Sequence, residues 1–359
     1  MEHLDFNDLG KYRTRDQVLN DLVDDGLPVA IYGAGQIGKE AAAILIDNGI
    51  KELCFIETPE YLFPGKKIEI AGRSIECITA DEMIKRHESF NAVLAVIEDT
   101  LLPELKKKFS MAGHVDYFDV HASHRMEREF LTKNKAVIEE IYAALSDEES
   151  KDVFEAFLHA RYTGDVTAIS SLNHDEAYLY DWELLGLSEN DVVIDAGAYT
   201  GDTIKEMSRF LNACPKKIYA FEPDEINIGE IRKNAGSDTV VPVCAGLYDH
   251  DDTLSFSGGG SIGSSISDDG ALNVKVIALD SHDEYKDATI IKMDIEGSEL
   301  AAIKGAKALI LAGHPRMAIC IYHNNEDVIV IYNELKELGY RFYMRQHSRS
   351  SEETVLYAV

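Results

Sequence analysis

Acidic residues and glycines lie close together in one short stretch that could bind a cationic ligand. The segment VVIDAGAYTGDT, residues 192–203, is an apolar run that ends in Asp195 and enters a turn containing Gly197 and Gly201. Asp202 follows the second glycine directly. Two carboxylates beside a turn would repel a diphosphate and attract a positive charge. We therefore expect a cofactor without phosphate here, although Asp202 taken alone would be interpreted as a helix cap.

A further carboxylate extends this expected site. The next apolar run, KKIYAFE, ends in Glu222, and Pro223 then stops the strand because proline has no backbone donor. A carboxylate at that strand end could accept hydrogen bonds from both hydroxyls of a ribose. S-adenosylmethionine (SAM) combines an ammonium, a sulfonium, a ribose and an adenine and has no phosphate, so the pattern predicts a SAM site.

Two later strands end in groups that could remove a proton from a hydroxyl. Asp294 and Glu296 lie at the end of TIIKMDI, and His323 follows MAICIY. Ligands of open α/β sheets gather at the carboxyl ends of the strands. His323 is the favoured base, because histidine has an unperturbed pKa of about 6.5, and Glu296 is the second candidate. The alternatives are a surface histidine and an acid in the first turn of the next helix.

The acids and the histidine at these strand ends could also be considered as metal ligands. Asp294, Glu296 and His323 include hard oxygen ligands of the kind that magnesium prefers. Acids that share a strand exit do not make a cage, however, so we expect no metal.

The last hairpin carries two basic residues, Arg345 and His347. They could hold a carboxylate or hydroxyl of a substrate. They could equally be exposed charges at a strand edge, and the sequence leaves both interpretations open.

A different glycine turn lies near the start of the chain. Gly33, Gly35 and Gly38 form G-x-G-x-x-G between an apolar run and a helical pattern, and Glu57 ends the next run. This arrangement is typical of turns that bind a phosphate at a helix N-terminus, and the spacing of Glu57 is that of an acid that binds the ribose. It predicts a nucleotide or nucleotide-sugar site; NAD redox chemistry and a scaffold without a ligand are the alternatives.

Apolar runs alternate with helical periodicity in both halves of the chain, which predicts an α/β protein. The expected domains are a small Rossmann-like parallel sheet at 1–124, a helical linker at 125–185 and a doubly wound sheet with an antiparallel final hairpin at 186–359. SDEE at 146–149 has the spacing of a capping box and predicts the start of the second linker helix. The glycine-rich segment at 258–267 could close over the site or be an ordinary hairpin loop.

The second half resembles the FkbM family of class I, SAM-dependent methyltransferases. DAGAYTGDT, FEPD, MDIEGSE, YHNNED and ETVLYAV occur in the family's order over about 175–359. The resemblance implies O-methylation of a sugar, polyketide or similar metabolite. The expected cofactor contacts are Asp195, Gly197, Tyr199, Gly201, Asp202, Thr203, Glu222 and Asp294. The N-terminal segments GAGQIGKEAAAIL and GRSIECITADEM resemble the small domain of bacterial sugar O-acyltransferases, which also implies a nucleotide-sugar.

Composition limits the partners. The formal net charge of −29 disfavours nucleic acid and anionic membranes and suits a neutral, polar or cationic small molecule or glycan. The five cysteines have no CxxC spacing and are expected to be reduced core residues, and the sequence shows neither a leader nor a membrane span, so we expect a cytoplasmic protein. A homo-oligomer is compatible with the sequence. A SAM-binding regulatory protein without turnover and an NAD oxidoreductase remain the rival functions.

Overall fold

The structure is a computed structural model in which two compact units can be described. The described residues are 4–6, 8–95, 102–110, 112–117, 125–174, 178–234, 238–257, 265–266, 272–348 and 352–359. The first unit takes its residues from 1–135, 155–172 and 349–351, and the second from 136–154, 173–348 and 352–359. The predicted domain boundary at 124 lies outside the described residues, and the domain limits stay predictions.

The first unit is built on a six-stranded sheet. Its helices and strands are α1 (Arg15–Asp25), β1 (Val29–Tyr32), α2 (Gln36–Asp47), β2 (Leu53–Ile56), β3 (Lys67–Ile70), β4 (Arg73–Ile78), α3 (Ala80–Arg86), β5 (Asn91–Leu94), α4 (Leu102–Lys108) and β6 (Val115–Tyr117). The strand order is β3-β4-β2-β1-β5-β6, in which β3 alone pairs antiparallel. The central strands β2 and β5 are buried along their whole length, as continuous apolar runs in parallel sheets are.

Three helices follow: α5 (Arg128–Ala144), α6 (Glu148–Thr163) and α7 (Thr167–Ser170). The capping-box prediction is wrong by one residue. The Asp147 carboxylate, rather than the Ser146 hydroxyl, accepts the Ser150 N–H at 2.8 Å, so α6 is capped by Asp147.

The second unit contains the larger sheet. Its helices and strands are β7 (Val192–Ala196), α8 (Asp202–Leu211), β8 (Lys217–Phe221), α9 (Glu225–Asn234), β9 (Val240–Val243), β10 (Gly246–Leu247), β11 (Asp252–Ser257), β12 (Ser265–Ile266), β13 (Leu272–Ile277), β14 (Ile290–Met293), α10 (Glu299–Gly305), α11 (Lys307–Gly313), β15 (Arg316–Cys320), α12 (Asp327–Leu335), β16 (Phe342–Gln346) and β17 (Thr354–Ala358).

Seven of these strands form a sheet in the order β16-β17-β15-β14-β7-β8-β9. The strands β7, β8, β9, β14 and β15 run parallel, whereas β17 pairs antiparallel with both β15 and β16. This confirms the predicted doubly wound sheet with an antiparallel final hairpin. The order places the exits of β7, β8, β14 and β15 at one edge.

A smaller sheet, β10-β13-β11-β12, was not expected. The segment 258–267, predicted as a closing or hairpin loop, lies outside the described residues except for Ser265 and Ile266, which form β12.

The free cysteines fit the expectation only in part. Cys54, Cys77 and Cys320 are buried, but Cys214 is half-buried and Cys244 is exposed, so the prediction of core positions is wrong for the last two. Burial is the largest cause that raises the pKa of Cys54, to about 12, which keeps this thiol protonated. Among the described residues, no helix combines the length and apolar character that crossing a membrane requires.

Candidate active site

A cavity of about 300 Å³ opens at the strand exits of the second unit. It lies where ligands of open α/β sheets collect. The residues that line it are Leu179, Tyr180, Gly197, Tyr199, Asp202, Thr203, Phe221, Glu222, Pro223, Asp224, Asn227, Gly246, Leu247, Val274, Lys292, Asp294, Ile295, Glu296, Ser298, Tyr322 and Glu353.

The glycine turn after β7 forms one wall of the cavity. Gly197 has a φ of 76°, and a Cβ at this position would lie 1.8 Å from the Asp294 carbonyl oxygen, so only glycine fits. Tyr199 also has a positive φ, 44°, and lines the cavity. Gly201, with a φ of 83°, precedes α8 but does not line the cavity. The turn therefore presents Gly197 and Tyr199 to a ligand, while Gly201 shapes the backbone.

Glu222 lies at the exit of β8, as predicted, and is buried. Its Oε2 accepts the Tyr199 N–H at 3.0 Å, and its Oε1 accepts the Asp224 N–H at 2.9 Å. The Asn227 side-chain amide also donates to Oε1, at 3.4 Å. These bonds fix the carboxylate and leave Oε2 with a lone pair for a ligand. Burial is the largest effect on this group and raises its pKa, although the hydrogen bonds oppose it.

Asp195 is placed differently from the prediction. Its side chain is fully buried and does not line the cavity, and its Oδ1 lies 3.2 Å from the Lys292 Nζ. Lys292 also donates to the Gly197 carbonyl at 2.7 Å and does line the cavity. Burial would lower the pKa of Lys292, but the charge of Asp195 raises it above its ordinary value. Asp195 thus forms a buried ion pair and is not a direct cofactor contact or a filter against diphosphates.

Asp294, Tyr322 and Glu353 meet in the cavity. The Tyr322 hydroxyl lies 3.1 Å from Asp294 Oδ1 and 3.2 Å from Glu353 Oε1. The Tyr180 hydroxyl approaches the other Asp294 oxygen at 3.5 Å. This part of the cavity therefore combines two carboxylates with two phenols, a set that can hold a hydroxyl-bearing molecule.

His323 lies next to the cavity among three carboxylates and is not one of the lining residues. Its Nδ1 is 3.2 Å from Glu299, and its Nε2 is 3.5 Å from both Asp294 and Glu296. Burial lowers the pKa of His323, but the hydrogen bond and charge of Glu299 and the charges of the other two acids outweigh it and raise the pKa to about 9. The imidazole is therefore protonated near neutral pH, which argues against the predicted base.

Glu296, the other predicted base, does line the cavity and has a φ of 57°. The alternative interpretation, a first-turn acid of the next helix, applies instead to Glu299. This residue begins α10, and its Oε1 accepts the Ile295 N–H at 2.8 Å.

In the described part of the chain, two sets of side chains lie close enough together to share a metal ion. They are Asp294, Glu299 and His323, and Asp294, Cys320 and Glu353. In the first set, His323 already forms ion pairs with Asp294 and Glu299, so a cation is present there without a metal. The expected absence of a metal stays a prediction.

Arg345 and His347 are buried and do not line the cavity, so the structure brings neither to the expected substrate site. The Arg345 guanidinium lies 2.8 Å from Asp147 and donates to the Ser150 hydroxyl at 2.9 Å. His347 Nε2 lies 2.7 Å from the Tyr357 hydroxyl. Their burial also contradicts the alternative of exposed strand-edge charges.

The glycine turn of the first unit has the predicted backbone. Gly33 has a φ of 102°, Gly35 precedes α2, and a Cβ on Gly38 would lie 1.8 Å from the Gly33 carbonyl oxygen. Glu57, expected to bind a ribose, instead pairs with the Lys66 ammonium. The residues that follow β5, 96–101, lie outside the described residues.

Sequence reasoning missed Lys292, Tyr180 and Glu353 as cavity residues. Lys292 had a visible signal, since it is a charged residue inside the apolar run TIIKM. Glu353 begins the ETVLYAV segment, but only the antiparallel pairing of β17 with β15 brings that segment beside Tyr322. Tyr180 precedes the sheet and carries no pattern that points to the site.

The comparisons with known proteins give a family match and similar solved structures. Residues 195–342 match the family described as the Methyltransferase FkbM domain. The fold is similar to that of a methyltransferase FkbM from Methylobacillus flagellatus KT, with a TM-score of 0.75 and 18% identity, over 99% of this chain and 97% of that one. A fibrillarin from Aeropyrum pernix, in complex with natively bound SAM, is similar over 49% of this chain and 72% of that one, with 13% identity and a TM-score of 0.33. A search of curated proteins gives no match.

Proposed function

We propose, from the match of residues 195–342 to the methyltransferase FkbM domain, that the chain binds SAM in the cavity of its second unit and methylates a hydroxyl of a sugar or related small metabolite. The observation that carries the proposal is the cavity itself, where carboxylates from several strand exits surround a glycine turn. The enzyme class, a SAM-dependent methyltransferase, follows from the family match.

The charges of the cavity suit SAM. Its lining includes six carboxylates, which are Asp202, Asp224, Glu222, Asp294, Glu296 and Glu353. Lys292 is the sole cation among the described lining residues, and its charge is paired with Asp195. Such a site favours a ligand with a sulfonium and an ammonium and disfavours phosphates.

Particular residues would hold particular parts of the cofactor. Glu222 is proposed to accept a ribose hydroxyl, and Asp202 and Thr203, at the start of α8, also line the cavity. Gly197 and Tyr199 leave room for the amino-acid end. When bound, SAM supplies an electrophilic methyl carbon, to which the acceptor oxygen bonds while the carbon–sulfur bond breaks and its electron pair stays on sulfur.

The chemical class of the acceptor is inferred from the cavity residues that are not assigned to SAM. Asp294, Glu353, Tyr180 and Tyr322 offer hydrogen-bond partners to hydroxyl groups. A carboxylate or phosphate on the acceptor would meet like charges, which cost free energy in a desolvated cavity. We therefore propose a neutral or amino-bearing polyol or glycan. The first unit, through Gly33, Gly35 and Gly38, is proposed to bind a nucleotide or nucleotide-sugar.

Calorimetry with SAM tests the cofactor. Glu222→Gln should weaken binding about tenfold or more, because it replaces one ribose-facing acceptor by a donor and a tenfold change corresponds to only about 1.4 kcal/mol. Glu225→Gln, an exposed acid in the first turn of α9, is the matched control and should bind like the parent. A parent protein that binds no SAM would sink the proposal.

The acceptor is tested with labelled SAM and a panel of neutral sugars, amino sugars and uronic acids. Transfer to neutral or amino sugars is the expected result. Transfer confined to uronic acids or phosphorylated sugars would contradict the proposed acceptor class while leaving the SAM site intact.

A further inference from the structure

Glu353 occupies an unusual position in the cavity. It precedes β17, has a φ of 61° and lines the cavity with its side chain. A non-glycine residue in the left-handed region costs on the order of 1 kcal/mol and is retained where the fold needs that side chain direction. The backbone is held in this conformation, since the Glu353 carbonyl accepts the His347 N–H at 3.0 Å.

Glu353 shares a single phenol with another acid. Tyr322 has one hydroxyl proton, but its oxygen lies 3.2 Å from Glu353 and 3.1 Å from Asp294. The phenol can donate to only one of these carboxylates at a time. If Glu353 carries a proton, it can donate to the Tyr322 oxygen, which then donates to Asp294. The geometry therefore accommodates a proton on Glu353 without breaking either contact.

The surroundings of Glu353 raise its affinity for a proton. Burial is the largest cause and the charge of Asp294 is the second, and together they raise the pKa of Glu353 to about 7. The titratable and charged groups that face Glu353 are Tyr180, Lys292, Asp294, Cys320, Tyr322 and Glu352. No described lysine, arginine or histidine lies within ion-pairing distance of its carboxylate.

Each of the other candidate bases lies outside the cavity lining or next to a cation. His323 lies outside the cavity lining and is already protonated near neutral pH. Asp294 and Glu296 each lie 3.5 Å from the His323 imidazolium, so their charges are engaged by a cation. Glu353 alone of this group combines access to the cavity with no described cationic partner.

We propose that Glu353 is the general base of the methyl transfer. This inference rests on the proposed function. As the acceptor oxygen bonds to the methyl carbon, its O–H bond breaks, the electron pair stays on oxygen and the proton passes to the Glu353 carboxylate. Tyr322 then stabilises the protonated acid by accepting its hydrogen bond.

Two variants test this role. Glu353→Gln keeps the size of the side chain and its acceptor oxygen for Tyr322 but cannot take a proton. With SAM and an acceptor that the parent methylates, kcat should fall about 10²- to 10⁴-fold. The parent's kcat/KM should rise with pH through about 7 and level off, because the base must be ionised. This rise with pH should be absent in the variant. Glu225→Gln, which changes an exposed acid in the first turn of α9 outside the cavity lining, should keep both the rate and the rise of kcat/KM with pH.

A titration without substrate supplies an independent readout. Difference infrared spectra of the ligand-free parent and Glu353→Gln should isolate one carboxyl that ionises near pH 7, well above the ordinary value for glutamate of about 4.3. A carboxyl that ionises near that ordinary value, or a Glu353→Gln enzyme with the parent's rate and rise of kcat/KM with pH, overturns Glu353 as the base. A parent that binds no SAM overturns the proposed function instead, and calorimetry on Glu353→Gln confirms that the variant still folds and binds.

Discussion

At the scale of single residues, two backbones approach each other closely in the site. Gly197 leaves β7 where Asp294 leaves β14, and the Asp294 N–H donates to the Ala196 carbonyl at 3.1 Å. The contact sets the distance between the cofactor turn and the acids of the acceptor half. No side chain can be inserted between these backbones without separating the two strand exits.

Gly197→Ala should therefore damage both stability and binding. Its Cβ would lie 1.8 Å from the Asp294 carbonyl oxygen, at a φ of 76° that disfavours alanine. We expect a loss of about 3 kcal/mol in the free energy of unfolding, measured in urea, and loss of SAM binding. Gly229→Ala is the control, because that helical glycine has open space around it and should gain up to about 1 kcal/mol. Parent-like stability and affinity in Gly197→Ala would contradict the geometry.

The charged state of His323 leads to a pH prediction. The pKa of His323 is raised to about 9 in the folded chain, whereas an unfolded histidine has a pKa of about 6.5. The proton therefore stabilises the folded state fully below about pH 6.5, and this contribution disappears as the pH rises through about 9. His323→Gln should lose about 3 kcal/mol near pH 6 and much less near pH 10.

Chemical unfolding at the two pH values measures this difference. His87→Gln is the matched control, since its nearest acidic oxygen, on Glu52, is 3.9 Å away. A deficit in His323→Gln that stays constant between the two pH values would show that folding does not raise the pKa of His323.

At the scale of helices and strands, the sequence predicted the elements whose burial leaves a clear apolar pattern. The strands β7, β8, β14 and β15 are largely apolar because the parallel sheet is covered on both faces. The smaller sheet escaped prediction because DTLSFS and LNVKVI mix polar and apolar residues, and their partner is set by pairing between distant segments.

The same reasoning explains which site residues could be predicted. Glu222 and Asp294 directly follow strands, so their position at the sheet edge is a local property of the sequence. Asp195 was misplaced because its buried partner, Lys292, lies on another strand. Arg345 was misplaced because the partner of its charge, Asp147, lies at the start of α6.

The start of α6 therefore depends on a residue with two tasks. Asp147 accepts the Ser150 N–H and pairs with Arg345. Burial would raise the pKa of Asp147, but hydrogen bonds from Arg345 and Ser150 lower it to about 2, so it is ionised near neutral pH. The helix end and the final hairpin are linked through this carboxylate.

Asp147→Ala should lose about 2 kcal/mol in the free energy of unfolding, because it removes the cap and one partner of a buried guanidinium. Asp147→Asn, which keeps the cap but not the charge, should lie between this variant and the parent. The adjacent Glu148→Gln is the control, since that side chain is 85% exposed. Equal stability of the alanine variant and the parent would show that neither the cap nor the ion pair of Asp147 stabilises the fold.

At the scale of the whole molecule, the net charge of −29 acts in the same direction as the acids of the cavity. A negative potential concentrates cationic ligands near the site and is screened by salt. SAM carries one more positive charge than its product, S-adenosylhomocysteine, because methyl transfer removes the sulfonium. The potential therefore favours the cofactor over the product.

This difference predicts how salt changes the two affinities. Raising sodium chloride from about 0.01 M to about 0.5 M shortens the screening length from roughly 30 Å to less than 10 Å. We expect the Kd for SAM, measured by calorimetry, to increase about 3- to 10-fold, because distant surface acids no longer contribute. The Kd for S-adenosylhomocysteine should change less than about twofold, since its net charge is zero. Equal salt dependence of the two ligands would mean that the sulfonium lies beyond the field of the acids, and the preference for SAM would then have to come from contacts alone.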